Sequence, residues 1–467
     1  MNKYLKLLGL NLFCMFIFLL TVFITSSPDF QVQRADPTII ITFLIIGLIS
    51  IWGIVDDKNS YSINLMHWLF IYIFIFNAGI IQYLKNDFPW YVIIDDSLVL
   101  KSNLIIILWC IVYAISYKFK TFNKKNIANI ANKDINIKNK FFLVLITIVI
   151  GLLFIRLIGF SNLFSRGEYG NQVDDYSQTS LLIVSTFIRA IPTIVLAYLI
   201  EEKKFKGAKN GIYILIVFIL NLVVNFPTGS ARYWAASIYL GLYILLKPQK
   251  NDKFFFCILF ISVFLVAFPV LNAFRYAGFL DVLDTGIKFS SFIDFFLRGD
   301  FDAYSMVCRS LDLVSQMGSF KGTQLLGAIL FFVPRSIWSS KPIGSGATIA
   351  FYQRQYFKNI SCPIIGEGII NFGIIGVIIF AVVIGFIIKY LDTVYWNIQK
   401  KNTKSINVIT ILYPFYLGFF FFIFRGDLMS SFSYLIGFSI SAFMIQMLFG
   451  RINKSFKLEQ DVKIQNE

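Results

Sequence analysis

Charge is scarce in this 467-residue chain: 15% of its residues are Asp, Glu, Lys or Arg, against roughly a quarter in a soluble domain, while 57% are hydrophobic. That shortage excludes a chain that stays in water, and because apolar runs recur from end to end, no separate soluble domain is left over. Histidine is rarer still. The one His, His67, sits in an apolar run beside Trp68 with nothing nearby to complete a metal set, so it is read as a satisfied buried side chain. The five cysteines, Cys14, Cys110, Cys257, Cys308 and Cys362, are scattered, which leaves neither a zinc spacing nor a disulfide framework. No A-x-A-like site follows the first apolar run, which continues to about Ile24 and outlasts the 7–15 residues of a signal-peptide core; an uncleaved membrane helix is expected there.

What the chain has is helix-length apolar sequence. A hydrocarbon core of about 30 Å needs roughly 20 helical residues. Runs of that kind fall near 7–25, 38–55, 63–83, 98–117, 141–159, 180–200, 211–226, 232–247, 254–271, 367–390, 406–424 and 431–449. The expected fold is therefore an all-α polytopic membrane protein of about twelve transmembrane helices. Its expected parts are a membrane domain over 1–271, a large extracytoplasmic loop over 272–366, three last helices over 367–450 and a cytoplasmic tail over 451–467.

Loop charge orients these helices. Met1–Lys6 carries two Lys and no acid, and placing it in the cytoplasm puts KFKTFNKKNIANIANKDINIKNK, EEKKFKGAKN, KPQKNDK and KKNTK on the same side. The neutral or acidic loops SSPDFQVQRADP and KNDFPWYVIIDDS fall opposite. Both termini are thus expected to be cytoplasmic. The net charge of +16 then lies beside helix ends, where anionic headgroups attract it, and calls for membrane lipid as its partner, not nucleic acid.

Arginine departs from this pattern. Of the twelve Arg, only Arg451 is cytoplasmic in this topology; the others, Arg232, Arg275, Arg298, Arg309, Arg335, Arg354 and Arg425 among them, are outside or in helices near that face. Positive charge outside works against insertion, so another cause is needed. The rigid guanidinium fork matches phosphate and carboxylate oxygens, and an outward cluster points to an anionic ligand. The alternative is that each Arg snorkels to headgroups or pairs with an acid such as Asp174, Asp300 or Asp302.

The 272–366 stretch is more than a linker. GIKFSSFIDFFLRGD has a roughly helical apolar period suited to an interfacial helix, and TQLLGAILFFV is too short to cross before Pro334 and Arg335 end it, as in a re-entrant or interfacial helix. In FFVPRSIWSSKPIGSG, Pro334 and Pro342 restrict the backbone, Gly344 and Gly346 permit close approach of a ligand, and Arg335 and Lys341 bring positive charge. The run suggests an anion clamp; a Pro/Gly-rich turn between interfacial helices is the alternative. GSG lacks the Lys-Ser/Thr of a nucleotide-binding loop, so ATP is not expected. NFPTGSARYW and IFRGDLMSS bring Arg232, Arg425 and Asp427 to the same surface, and Glu367, between Gly366 and Gly368, is suited to proton transfer if partly buried.

The many-span layout, the large loop before the last three helices and the run QLLGAILFFVPRSIWSSKPIGSG are similar to the O-antigen polymerase (oligosaccharide repeat-unit polymerase) family. The resemblance covers the whole chain in layout and is specific mainly from about Phe301 to Gly373, with TGSAR around Arg232 as secondary support. It implies a fold related to the C-type glycosyltransferases and an inverting transfer of a growing glycan from undecaprenyl-pyrophosphate to a second lipid-linked repeat unit. That reaction would run on the outer face of a bacterial inner membrane, without metal or cofactor, alongside a chain-length regulator and a flippase of the same pathway. Arg232, Arg335, Lys341 and Arg354, then Arg275 and Arg425, would bind the pyrophosphate, with Glu367 or Asp427 as base. Two other readings remain. An O-antigen ligase would be expected to carry a His in the outer loop, which has none, and a flippase would be expected to show repeated halves and charges lining a path across the membrane.

Overall fold

The computed structural model describes residues 10–11, 14, 32–90, 93–119, 135–137, 139–164, 175–246, 253–262, 296–355, 357–400 and 406–452. The regular structure of the described residues is helical apart from one small antiparallel ladder, β1 (Ile135–Ile137) with β2 (Gly450–Ile452). In chain order the helices are α1 (Pro37–Asp56), α2 (Ile63–Lys85, π-helical over Ile71–Asn77), α3 (Asp96–Lys118), α4 (Lys140–Ile158) and α5 (Asp175–Lys206). Then come α6 (Gly211–Val224), α7 (Arg232–Leu246), α8 (Lys253–Ser262), α9 (Ala303–Met317), α10 (Thr323–Ile329) and α11 (Ser345–Tyr352). The last three are α12 (Ile364–Lys400), α13 (Val408–Arg425) and α14 (Leu428–Phe449).

Seven of these, α1 to α4 and α12 to α14, are long and apolar enough to cross a membrane. Their starts are written in the sequence: the carboxylate of Asp36 accepts from Thr38 and Ile39 N–H ahead of Pro37, Asp95 caps Leu98, and Asn407 and Thr410 form a reciprocal capping box. Among the other expected spans, 180–200 lies within the longer α5, 211–226 and 232–247 are the shorter α6 and α7, and 254–271 is described only as far as Ser262. The span at 7–25 lies almost wholly outside the described residues.

One side of many helices is greasy and exposed, as a lipid-facing surface requires. On α4, Leu152, Leu153 and Leu157 are each more than half exposed, and on α14 Met447 and Leu448 are more so. The opposite faces pack into several buried clusters, of which two are the largest. One gathers α1, α2 and α3 against α12 and α13; the other joins α4, α5, α7, α13 and α14. At the α7–α13 crossing, a Cβ on Gly418 would lie 2.5 Å from Ser237 Cα, so only glycine lets these backbones approach.

Polar contacts gather in two separate groups. In one, Lys118 pairs with Asp56 at 3.0 Å, Lys253 Nζ donates to the Asp57 carbonyl, and β1 meets β2. In the other, Arg232, Asp300, Asp302, Arg425 and Asp427 assemble beside the starts of α7, α12 and α14.

The sequence expectation of one plain helix from 367 differs from what forms. At about 1.5 Å per residue the 37 residues of α12 would run roughly 55 Å, well beyond a bilayer core, and the helix breaks at Phe372 and Gly373, where φ is −143° and +62°. The carbonyls freed by the break are taken up by protein: Phe320 N donates to Ile370 O and Gly322 N to Asn371 O, while the Asn371 side chain accepts from Leu325 N. Glu367 lies buried in the first turn of a short half-helix, Ile364 to Asn371, whose end is pinned against the start of α10.

Candidate functional site

α7 begins at Arg232, α13 ends at Arg425, and α14 begins after Asp427, so three helix ends deliver two guanidiniums and a carboxylate to one place. The Trp338–Gly344 loop adds Lys341 from the other side. Between them is a cavity of about 390 Å³ lined by Arg232, Tyr233, Lys341, Arg425, Asp427 and Tyr434, with Ser361, Ser430 and Ser433 supplying hydroxyls.

Each cation is held in place by its own partner. Arg232 makes a two-pronged bond to Asp300, Nη1–Oδ2 at 2.9 Å and Nη2–Oδ1 at 2.8 Å. The Nη2 of Arg425 donates to Asp302 Oδ1 at 2.8 Å and to Gly299 O, and its guanidinium lies 5.5 Å from the Tyr233 ring centre. Asp302 is fully buried and also accepts from Ser361 Oγ and Trp90 Nε1, which fixes it as the hub behind the cavity wall. Lys341 Nζ donates to the carbonyls of Phe331 and Val333, and burial, helped by Arg335, pushes its pKa below the usual lysine value.

Donors are left over after these pairings. Arg425 Nη1 and Nε have no protein partner among the described residues, and Lys341 has used two of its three N–H groups. A cavity lined by such donors can receive oxygens of a phosphate or diphosphate.

Asp427 is the acid of the cavity. Its Oδ1 accepts from Met429 N and its Oδ2 from Gly346 N at 2.9 Å; burial pushes its pKa up, and these backbone bonds oppose the push. Glu367 is close by in the network but is not among the cavity-lining residues. Its oxygens accept from Ser345 Oγ at 2.7 Å and Leu428 N at 3.0 Å, so it ties α11 and α12 to the start of α14.

The GSG run is used differently from the sequence expectation. A Cβ on Gly344 would meet the Asp427 carboxylate at 2.6 Å, and one on Gly346 would lie 2.1 Å from Ile360 O. The close approach that glycine permits is therefore made by the protein's own carboxylate and carbonyl, so neither glycine is kept small for a ligand. Arg335 is likewise engaged inside its loop, with Nη1 on Lys341 O at 2.6 Å and Nη2 on Pro342 O at 3.2 Å; it shapes the Lys341 loop and is not among the residues lining the cavity. Arg354 is exposed, in a left-handed turn at φ 52°, and away from the cavity lining. Arg275 lies outside the described residues.

Of the residues singled out by sequence, Arg232, Lys341, Arg425 and Asp427 come together. The pairing acids Asp300 and Asp302 were visible only as potential partners of arginine, although LRGDFD is an acidic pair in a loop poor in acids. Tyr233 and Ser361 carried no signal. Arg309 is buried, donates Nε to Gln353, has no partner for Nη2 among the described residues, and has its pKa pushed down to about 10 by burial. No protein-family model matches the chain, and no curated protein or solved structure matches it either.

Proposed function

We propose that this chain is a surface-polysaccharide repeat-unit polymerase of the O-antigen polymerase kind, an inverting, metal-independent glycosyltransferase of twelve spans with a C-type transferase-like fold. In this reading both termini are cytoplasmic and the cavity opens to the outer face of a bacterial inner membrane. The observation that carries the reading is the convergence of Arg232, Arg425 and Lys341 with Asp427 on one cavity at a single end of the bundle. The loop-charge topology puts that end outside the cytoplasm.

The chemistry follows from the leaving group. As the acceptor hydroxyl oxygen attacks the anomeric carbon, the bond from that carbon to the pyrophosphate oxygen breaks and negative charge grows on the leaving diphosphate. Arg425 and Lys341 offer their uncommitted donors to that charge, and Arg232, held by Asp300, adds a fixed positive field. Preorganisation by Asp300 and Asp302 matters because the donors need not reorient when charge develops. Removing one such donor typically costs about 10²–10³ in rate. Asp427 takes the hydroxyl proton; its burial makes it a stronger base than an ordinary aspartate. Glu367 then serves to position the Ser345–Gly346 turn that holds Asp427.

The test is complementation of a deletion strain. Compared at matched protein levels, Arg232→Gln and Arg425→Gln should leave single-repeat glycolipid and no long polymer. A normal polymer ladder from both variants would overturn the reading. Loss of the repeat unit from the outer leaflet would instead favour a flippase.

A further inference from the structure

The Trp338–Gly344 loop has two sides. Lys341 belongs to the basic cavity, whereas Trp338, Ser340, Pro342 and Ile343 line a second, open groove of about 520 Å³, completed by Phe320, Thr323, Gln324, Thr348, Phe351 and Tyr352. Among the described residues, no charged side chain lines this groove. Phe351 and Tyr352 are 62% and 44% exposed and stand beside polar groups. Trp338 donates its indole N–H to Ser340 Oγ, which fixes the ring plane.

The informative atom is on Gln324. Its side chain is buried, and Nε2 donates to Thr348 Oγ1 at 3.1 Å. The Thr348 hydroxyl spends its single proton on Gly344 O, so it can only accept from Gln324, which fixes the amide orientation. Gln324 Oε1 is consequently left buried without a donor among the described residues. A buried acceptor in this state costs on the order of 1–3 kcal/mol, which a ligand O–H would recover.

We infer that this groove binds an uncharged glycan, the sugar rings stacking on Trp338, Phe351 and Tyr352 and their hydroxyls reaching Gln324, Thr323 and Ser340. A sugar has the two properties the groove asks for: an apolar C–H face for aromatic rings and hydroxyl donors for amide and hydroxyl oxygens. An acyl or prenyl chain would match the rings but offers no donor to Gln324. The absence of charge from the lining separates this groove from the cation-lined cavity across the same loop. Assigning the bound glycan to the acceptor rests on the polymerase reading; glycan binding itself does not.

Full-length protein in detergent would be examined by saturation-transfer NMR with the lipid-free oligosaccharide released from the host's own surface polysaccharide. Transfer to sugar protons is expected with wild type and with Arg232→Gln, and is expected to fall at least five-fold in Trp338→Ala and in Thr323→Val, both checked for monodispersity. No transfer from wild type, or undiminished transfer in both groove variants, overturns the inference. So does fluorescence quenching by brominated lipid that is present in wild type and missing in Trp338→Ala, in the absence of sugar transfer, which would give the groove to a lipid chain. The polymer ladder of Arg232→Gln reads the polymerase proposal separately: a normal ladder would remove that proposal and leave the groove's ligand standing.

Discussion

The Asp302–Arg425 pair offers the sharpest separation of scaffold from chemistry. Both side chains are nearly sealed, at 1% and 9% exposure, and Asp302 also receives Ser361 and Trp90. Removing either partner strands a buried charge, a change that typically costs about 3–5 kcal/mol. Arg425→Met and Asp302→Asn should each be destabilising by that amount. At roughly 2 °C per kcal/mol for a large chain, the midpoint of thermal aggregation in detergent should drop by about 6–10 °C. Because such unfolding is irreversible, all variants must be heated at one fixed rate.

The double variant decides the matter. With both charges gone, nothing is stranded, and Asp302→Asn/Arg425→Met should be no less stable than either single change, a coupling of roughly 3 kcal/mol or more. It should nevertheless make no polymer, since the donors of Arg425 are absent. A double variant that loses the sum of the two single losses would show that the pair is not energetically coupled. Single variants within about 1 °C of wild type would refute the burial argument itself.

Three further outcomes follow. Polymerisation by purified protein should fall as pH drops through the pKa of Asp427, and because burial raises that pKa the acid limb should lie above the ordinary aspartate range; a limb near pH 4 would remove Asp427 as base. The same raised pKa means that ionisation of Asp427 opposes folding: its contribution to stability is present below the unfolded pKa and lost as pH rises through the folded one. Gly373→Ala should cost about 1–3 kcal/mol through backbone strain alone, since φ is +62° and a Cβ there meets no atom within 4 Å; an unchanged aggregation midpoint would refute the break in α12. Arg354→Ala, at an exposed site away from the cavity, should change stability by less than about 0.5 kcal/mol and leave the polymer ladder intact, and loss of polymer would move the site elsewhere.

What could be read from sequence divides by range. Helices long enough to cross a membrane are local facts, set by composition within about 20 residues, and α1 to α4, α13 and α14 appear within a few residues of their apolar runs. The break in α12 is also local in cause, because Gly373 supplies the positive φ, yet glycine inside an apolar run has many uses and does not announce a break. Pairing is the part that escapes. Arg232 meets Asp300 across 68 positions and Arg425 meets Asp302 across 123, and nothing in the periodicity of either segment fixes such partners. The same limit explains why Arg335 and Lys341, neighbours in one basic run, diverge: the Arg335 fork closes on its own loop carbonyls at six and seven residues' distance, while Lys341 reaches the cavity. Residue type alone predicts that a guanidinium will find oxygens; whether those oxygens belong to the loop, to a carboxylate or to a ligand is decided by tertiary packing, and here the three answers are given by Arg335, by Arg232 and by the uncommitted nitrogens of Arg425.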